Sequence, residues 1–225
     1  MTVEEFASKN YLMAALADAV ADRLEAKLSS TGRASLAVPG GTTPGPFFDS
    51  LSNKDLDWEN VTITLGDERF VPEDSDRSNT ALIKKRLLCN KAKDARLLRL
   101  YQKAADPEEV LDALSAQFDG ILPLTVNVLG MGADMHTASL FPDSPELSAA
   151  LNSDDVLAVV RPSSQPEARV TLTGPVLAGA KSIFILITGE EKRAALDKAL
   201  TLKDPYVAPI SLVLGLPQTR VFYAA

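Results

Sequence analysis

Cysteine and histidine are the scarcest chemistry-bearing residues of this chain, with one of each, Cys89 and His136. A lone cysteine excludes an internal disulfide and fits a reducing compartment. One Cys and one His cannot build the clusters that hold structural zinc. Cys89 sits in Arg86-Leu-Leu-Cys-Asn90, which reads as helix packing. Composition alone does not exclude a carboxylate-only magnesium site, but no spaced acidic motif suggests one. No apolar run reaches membrane-spanning length, and Met1–Asn10 carries no apolar core of a secretory leader. Positive charge is in deficit, 23 Lys and Arg against 30 Asp and Glu, for a net charge of −7. That balance argues against a nucleic-acid partner, which demands a basic face. The expectation is a cytoplasmic protein with no contact to nucleic acid or membrane.

What the chain does have is ordinary for a globular protein: 46% hydrophobic and 24% charged residues over 225 positions, enough for a substantial core. No linker, repeat or low-complexity tract divides it, so residues 1–225 read as one domain. Leu12, Leu16, Val20, Leu24 and Leu28 recur at helical spacing and predict a helix over Tyr11–Leu28. Strands are predicted at Ser35–Val38, Val61–Leu65, Leu97–Leu100, Leu124–Leu129, Val156–Val160, Ile183–Ile187 and Arg220–Tyr223. Helices are predicted from Thr42–Pro44, over Asn79–Cys89 with Asn79 as cap, over Asp106–Phe118 and over Glu190–Leu200. Strands alternating with helices imply an α/β fold, a doubly wound, mostly parallel sheet with helices on both faces. Ligands of such sheets bind at the carboxyl ends of the strands.

The suspicious loops all fall at such ends. Pro39-Gly40-Gly41-Thr42-Thr43-Pro44 follows a strand and could cradle an anion with backbone N–H groups, or could be a Thr-capped tight turn. It is no P-loop, because no Gly-Lys-Ser/Thr follows. Gly66-Asp67-Glu68-Arg69 offers a guanidinium that could hold a phosphate or pair with Asp67 or Glu68. Leu129-Gly-Met-Gly-Ala-Asp-Met-His136 brings the one side chain able to exchange a proton near neutrality into a glycine-rich turn beside Asp134. The turn misses the third glycine of a dinucleotide fingerprint, and Ser139 stands in no Gly-x-Ser-x-Gly elbow. Arg169 lies in Ala168-Arg-Val-Thr-Leu-Thr173. Lys192, in Gly189-Glu-Glu-Lys192, opposes the dipole of its own first helical turn, which an anion would relieve.

Gly40-Gly41-Thr42, Asp67-Glu68-Arg69, Gly-Met-Gly-Ala-Asp-Met-His-Thr-Ala-Ser-Leu-Phe-Pro142, Arg169–Thr173 and Gly189–Lys192 come in order over nearly the whole chain. Together they resemble the glucosamine-6-phosphate isomerase/6-phosphogluconolactonase family, on its lactonase side. The resemblance implies metal-independent and cofactor-free hydrolysis of 6-phosphogluconolactone in the oxidative pentose phosphate pathway. It also implies the fold shared with glucosamine-6-phosphate deaminases, as a monomer or weak homodimer. In that reading His136 and Asp134 are catalytic, while Gly40, Gly41, Thr42, Asp67, Arg69, Arg169 and Lys192 hold the sugar phosphate. The family usually reads Asp-Gly-His where this chain has Asp134-Met135-His136, so a positive φ there would strain Met135. Deaminases carry Asn-Glu-Pro where this chain has Leu140-Phe141-Pro142. A non-catalytic sugar-phosphate sensor would need a DNA-binding segment, which the acidic charge and the single helix before the first predicted strand do not supply.

Overall fold

The computed structural model describes residues 2–225. The chain begins with β1 (Thr2–Glu5) and α1 (Lys9–Thr31). The leucine and valine positions of α1 form one buried face, as their spacing requires. Polar stops carry the helix past the predicted Tyr11–Leu28. The Ser8 hydroxyl accepts from the Tyr11 N–H at 3.3 Å, and Gly32, at φ 73°, donates to the Leu28 carbonyl. Then follow β2 (Ala34–Val38), α2 (Gly45–Leu51), β3 (Val61–Leu65), β4 (Asp67–Arg69), α3 (Asn79–Arg86), β5 (Arg96–Leu97) and α4 (Leu111–Ser115). The second half contains β6 (Val126–Gly130), α5 (Leu147–Asn152), β7 (Leu157–Val160), β8 (Arg169–Leu172), α6 (Gly174–Ala178), β9 (Ser182–Thr188), α7 (Glu190–Leu202), α8 (Ser211–Leu214) and β10 (Thr219–Ala224). No helix among the described residues is long and apolar enough to cross a membrane.

Seven strands make a fully parallel sheet in the order β1-β10-β9-β6-β2-β3-β5. Every residue of β2 is buried, as are Ile183–Ile187 of β9, so both faces of the sheet are covered. From β2 the chain moves outward to β3 and β5, and from β6 it moves the other way to β9 and β10. The direction therefore switches between β2 and β6, where the carboxyl ends of the two strands leave a crevice.

A second sheet, β4-β8-β7, is antiparallel and departs from expectation. Asp67–Arg69 is a strand rather than a loop, and Val156–Val160 does not join the parallel sheet. Residues 161–168 between β7 and β8 contain no helix, so a parallel crossover is unavailable and the strands pair as a hairpin. Gly66 bridges the two sheets, donating to the Val38 carbonyl and accepting from the Leu172 N–H, both at 2.9 Å. Other boundaries moved with their caps. The helix after Thr42–Pro44 starts only at Gly45 and takes no side-chain cap from either threonine. The segment predicted as one helix over Asp106–Phe118 is α4 between two 3-10 turns, with no side-chain cap at any of its starts. β1 was not anticipated, being four residues without an apolar pattern.

Helix α3 is capped by Ser78, not Asn79: the Ser78 hydroxyl accepts from the Ala81 N–H at 3.2 Å. A stronger hold comes from Glu68 of β4, which is 1% exposed. Its carboxylate accepts from the N–H groups of Asn79 at 2.8 Å, Thr80 at 2.7 Å and Arg69 at 2.9 Å, and from the Ser78 hydroxyl at 3.3 Å. Burial pushes the Glu68 carboxyl up, and the N–H donors of Asn79 and Thr80 pull it partly back. Glu68→Ala should lower unfolding free energy by about 2–4 kcal/mol in urea titration, because buried donors left without an acceptor cost about 1–3 kcal/mol each. A loss under about 0.5 kcal/mol, the range of a neutral surface change, would show that α3 does not need this carboxylate.

Candidate active site

The crevice at the switch point deepens into a cavity of about 270 Å³ bounded by the ends of β2 and β6, by β4 and β8, and by the start of α7. After β2, Gly41 adopts φ 86°, a conformation that favours glycine. Gly40 is required for a different reason: a Cβ there would lie 2.1 Å from the Asn79 side chain. That side chain is fixed, since its amide donates to the Asp67 carbonyl at 3.0 Å. The glycine loop therefore rests on a wedge anchored to β4.

In the β4–β8 pairing Arg69 stands directly opposite Arg169. Like charges at such positions repel, and here one of them, Arg169, is buried. Desolvation, aided by neighbouring Arg69, pushes the Arg169 guanidinium below its ordinary value, while the Asp67 carboxylate 3.6 Å away opposes that. Arg169 also donates to Gln165 Oε1 at 2.6 Å, and Arg69 donates to the Arg77 carbonyl at 2.5 Å. The Nε–H of each arginine is nevertheless buried without a partner. Two crowded cations with spare donors on one wall have the chemistry to accept an anion. Arg69 pairs with neither acid beside it, so the ion pair the sequence left open does not form. The Asp67 carboxylate is engaged elsewhere, accepting from the Ser139 hydroxyl at 2.5 Å. Lys192, in the first turn of α7, lines the same cavity and pairs with no carboxylate among the described residues.

After β6 the chain makes a tight turn, with the Met135 N–H on the Gly132 carbonyl and the Gly132 N–H on the His136 carbonyl, both at 3.0 Å. The turn carries the His136 ring back over Gly132, where any Cβ would lie 2.3 Å from the imidazole. His136 Nδ1 lies 2.5 Å from Asp134 Oδ1, which also accepts from the His136 N–H at 3.2 Å. Desolvation alone would raise the Asp134 carboxyl, but hydrogen bonding and charge from His136 outweigh it and hold the carboxyl below its usual range. A carboxylate on Nδ1 makes that nitrogen the donor and leaves Nε2 as the basic one. The ring stacks on Phe141 with centroids 4.0 Å apart, and the Arg169 guanidinium lies 5.5 Å from the same ring's centre.

Gly40, Gly41, Thr42, Asp67, Arg69, His136, Arg169 and Lys192 all line the one cavity, with Asp134 behind His136. No group of three or more metal-ligating side chains converges among the described residues. Sequence reasoning missed Asn79 as a wedge, and Ser139 and Phe141 as supports of the turn, although both of the latter lie inside the quoted His-Thr-Ala-Ser-Leu-Phe-Pro block.

A family model for glucosamine-6-phosphate isomerases/6-phosphogluconolactonase matches residues 7–222. A 6-phosphogluconolactonase of Pseudomonas aeruginosa is 42% identical over 212 residues, covering 92% of this chain and 89% of its own. The crystal structure of a 6-phosphogluconolactonase from Shewanella baltica superposes with a TM-score of 0.97 at 35% identity, covering 100% and 98% of the two chains. A monomeric glucosamine-6-phosphate deaminase shares the fold at a TM-score of 0.83 and 19% identity, over 100% of this chain and 97% of its own.

Met135 has φ 68°, the strained conformation that the departure from Asp-Gly-His foreshadowed. Its side chain, however, is 5% exposed and belongs to the hydrophobic core. Relief of an αL residue is worth about 1–3 kcal/mol, and truncating a buried methionine costs about 2–5 kcal/mol, so packing outweighs strain. Met135→Gly should lower unfolding free energy by roughly 1–3 kcal/mol. A stabilised variant in the same titration would show that strain dominates.

Proposed function

Because the chain belongs to the glucosamine-6-phosphate isomerase/6-phosphogluconolactonase family, we propose that it hydrolyses 6-phospho-D-glucono-1,5-lactone to 6-phospho-D-gluconate in the oxidative pentose phosphate pathway. The observation that carries this reading is one cavity holding both a carboxylate-backed imidazole and two opposed guanidinium groups with unused donors. The first is a proton acceptor, and the second is a seat for a phosphate at the far end of a short substrate.

A lactone ester is already electrophilic, so the residues need only position it and move one proton. Arg69, Arg169 and Lys192, with the Gly40-Gly41-Thr42 loop, hold the 6-phosphate, and that remote binding energy sets the ring over His136. His136 Nε2 takes a proton from water as the oxygen attacks C1. Asp134 stabilises the imidazolium that results. The imidazolium returns the proton to the ring oxygen as the C1–O bond breaks, leaving the acid and restoring the base. Asp67 serves by holding Arg169 and Ser139 rather than by touching the reacting atoms. An isomerising deaminase on this fold is disfavoured because Phe141 stands where those enzymes carry a glutamate. We take residues 1–225 as a single lactonase domain, a monomer or weak homodimer needing no metal or cofactor. A cytoplasmic location accords with the lone thiol of Cys89.

His136→Ala should lower kcat by about 10²–10⁴-fold, the usual worth of a positioned general base, with the melting temperature kept. The assay generates the lactone in situ and subtracts spontaneous opening. Unchanged turnover would remove His136 from the chemistry. Lys192→Ala and Arg169→Ala should each raise KM for the phosphorylated lactone by roughly 10- to 100-fold, one charge-assisted hydrogen bond each. Unphosphorylated gluconolactone should be a poor substrate and indifferent to both changes. Equal losses on the two lactones would mean damage to the fold rather than to an anion seat.

A further inference from the structure

The base and the anion site touch the same side chain. His136 stacks on one ring, that of Phe141, at 4.0 Å and 22° between planes, and Arg169 lies 5.5 Å from that ring's centre. Phe141 is 3% exposed, so the ring has little room to move. The turn leading into it is fixed from two directions. The Thr137 hydroxyl donates to the Gly130 carbonyl at 2.9 Å, and Ser139 donates through its hydroxyl to the Asp67 carboxylate at 2.5 Å and through its N–H to the Thr171 hydroxyl at 3.3 Å. The Phe141 carbonyl itself accepts from the Ser144 N–H at 3.1 Å. Asp134, by contrast, is exposed and holds only the Nδ1 edge of the imidazole. A flat, buried ring against its face fixes the plane as well.

We propose that Phe141 is a positioning residue, a rigid plate that fixes the plane of the His136 imidazole and the reach of Arg169 together. An anion drawn onto Arg169 then presses on the same plate that orients the base, so phosphate binding and base alignment are mechanically joined. This inference rests on the lactonase reading for its kinetic consequence, but its geometric content does not. Stacking of this kind carries a modest energy, which converts to a few-fold effect on rate when it is lost in the transition state.

His136 is the only histidine, so its two imidazole C–H protons give isolated NMR signals that need no assignment by mutation. In the parent protein they should be displaced upfield by the Phe141 ring and show nuclear Overhauser contacts to it. Phe141→Leu, which keeps an apolar side chain but no ring, should return them toward ordinary positions. It should lower kcat roughly 3- to 10-fold on phosphorylated and unphosphorylated lactone alike, with a rise in KM confined to the phosphorylated one. Phe141→Tyr, which restores the ring, should recover most of both the shift and kcat. Imidazole signals without ring contacts in the parent protein overturn the proposal, even if the leucine variant does not fold. So does a folded Phe141→Leu with parental kcat, or a loss that follows melting temperature and is not rescued by tyrosine. Absence of lactone turnover in the parent would instead sink the lactonase reading, while the NMR signals would still decide the stack.

Discussion

Two guanidinium groups held opposite each other in a strand pair are the constraint that the rest of the site answers to. Left alone, Arg69 and Arg169 would turn away into water. Arg169 is buried and Arg69 half-buried, each on a short strand whose neighbours are tied down. Glu68, between Asp67 and Arg69, grips the start of α3 with its carboxylate. Asp67 holds Arg169 and Ser139 at once. The repulsion is tolerated within an otherwise well-bonded frame, and under the proposed function an incoming anion relieves it.

This arrangement also resolves an apparent mismatch of charge. The protein carries a net charge of −7 and is proposed to take a phosphorylated substrate. At physiological salt the screening length is about 8 Å, so a molecule inside the cavity responds to its lining and little to the whole. Part of the surface acid is matched by lysines and arginines in pairs such as Arg161–Glu108 and Arg220–Glu4. In the cavity, Arg69, Arg169 and Lys192 face Asp67 as the one lining carboxylate among the described residues, and that local excess is what the proposed substrate would meet.

Most of the parallel sheet was legible, because buried strands read as β-rich apolar runs and α1 as a clear four-residue period. Gly40, Asp67, Arg69 and His136 stood out by their place at predicted strand ends, whereas their gathering with Arg169 and Lys192 around one site came from the family resemblance. What the sequence hid was set by pairing between distant segments. Nothing local in Asp67-Glu68-Arg69 announces a strand, since its register comes from Arg169–Thr171 a hundred residues on. Asn79 reads as a helix cap until the Asp67 carbonyl and Gly40 are seen beside it. Phe141 is one more residue of the quoted motif until the imidazole lies on its face. The strain at Met135 was foreseeable from its neighbours, whereas the burial that outweighs it was not.

The position of β1 has a temporal consequence. Its only strand neighbour is β10, in a register that sets Thr2 beside Arg220. On a ribosome adding residues at about 5–20 per second, the first strand waits on the order of ten to forty seconds for that neighbour to be made. Until then its N–H and C=O groups stay with water, and the β9 edge that β10 will cover is bare. The earliest-born strand of the sheet therefore pairs only with its last-made one.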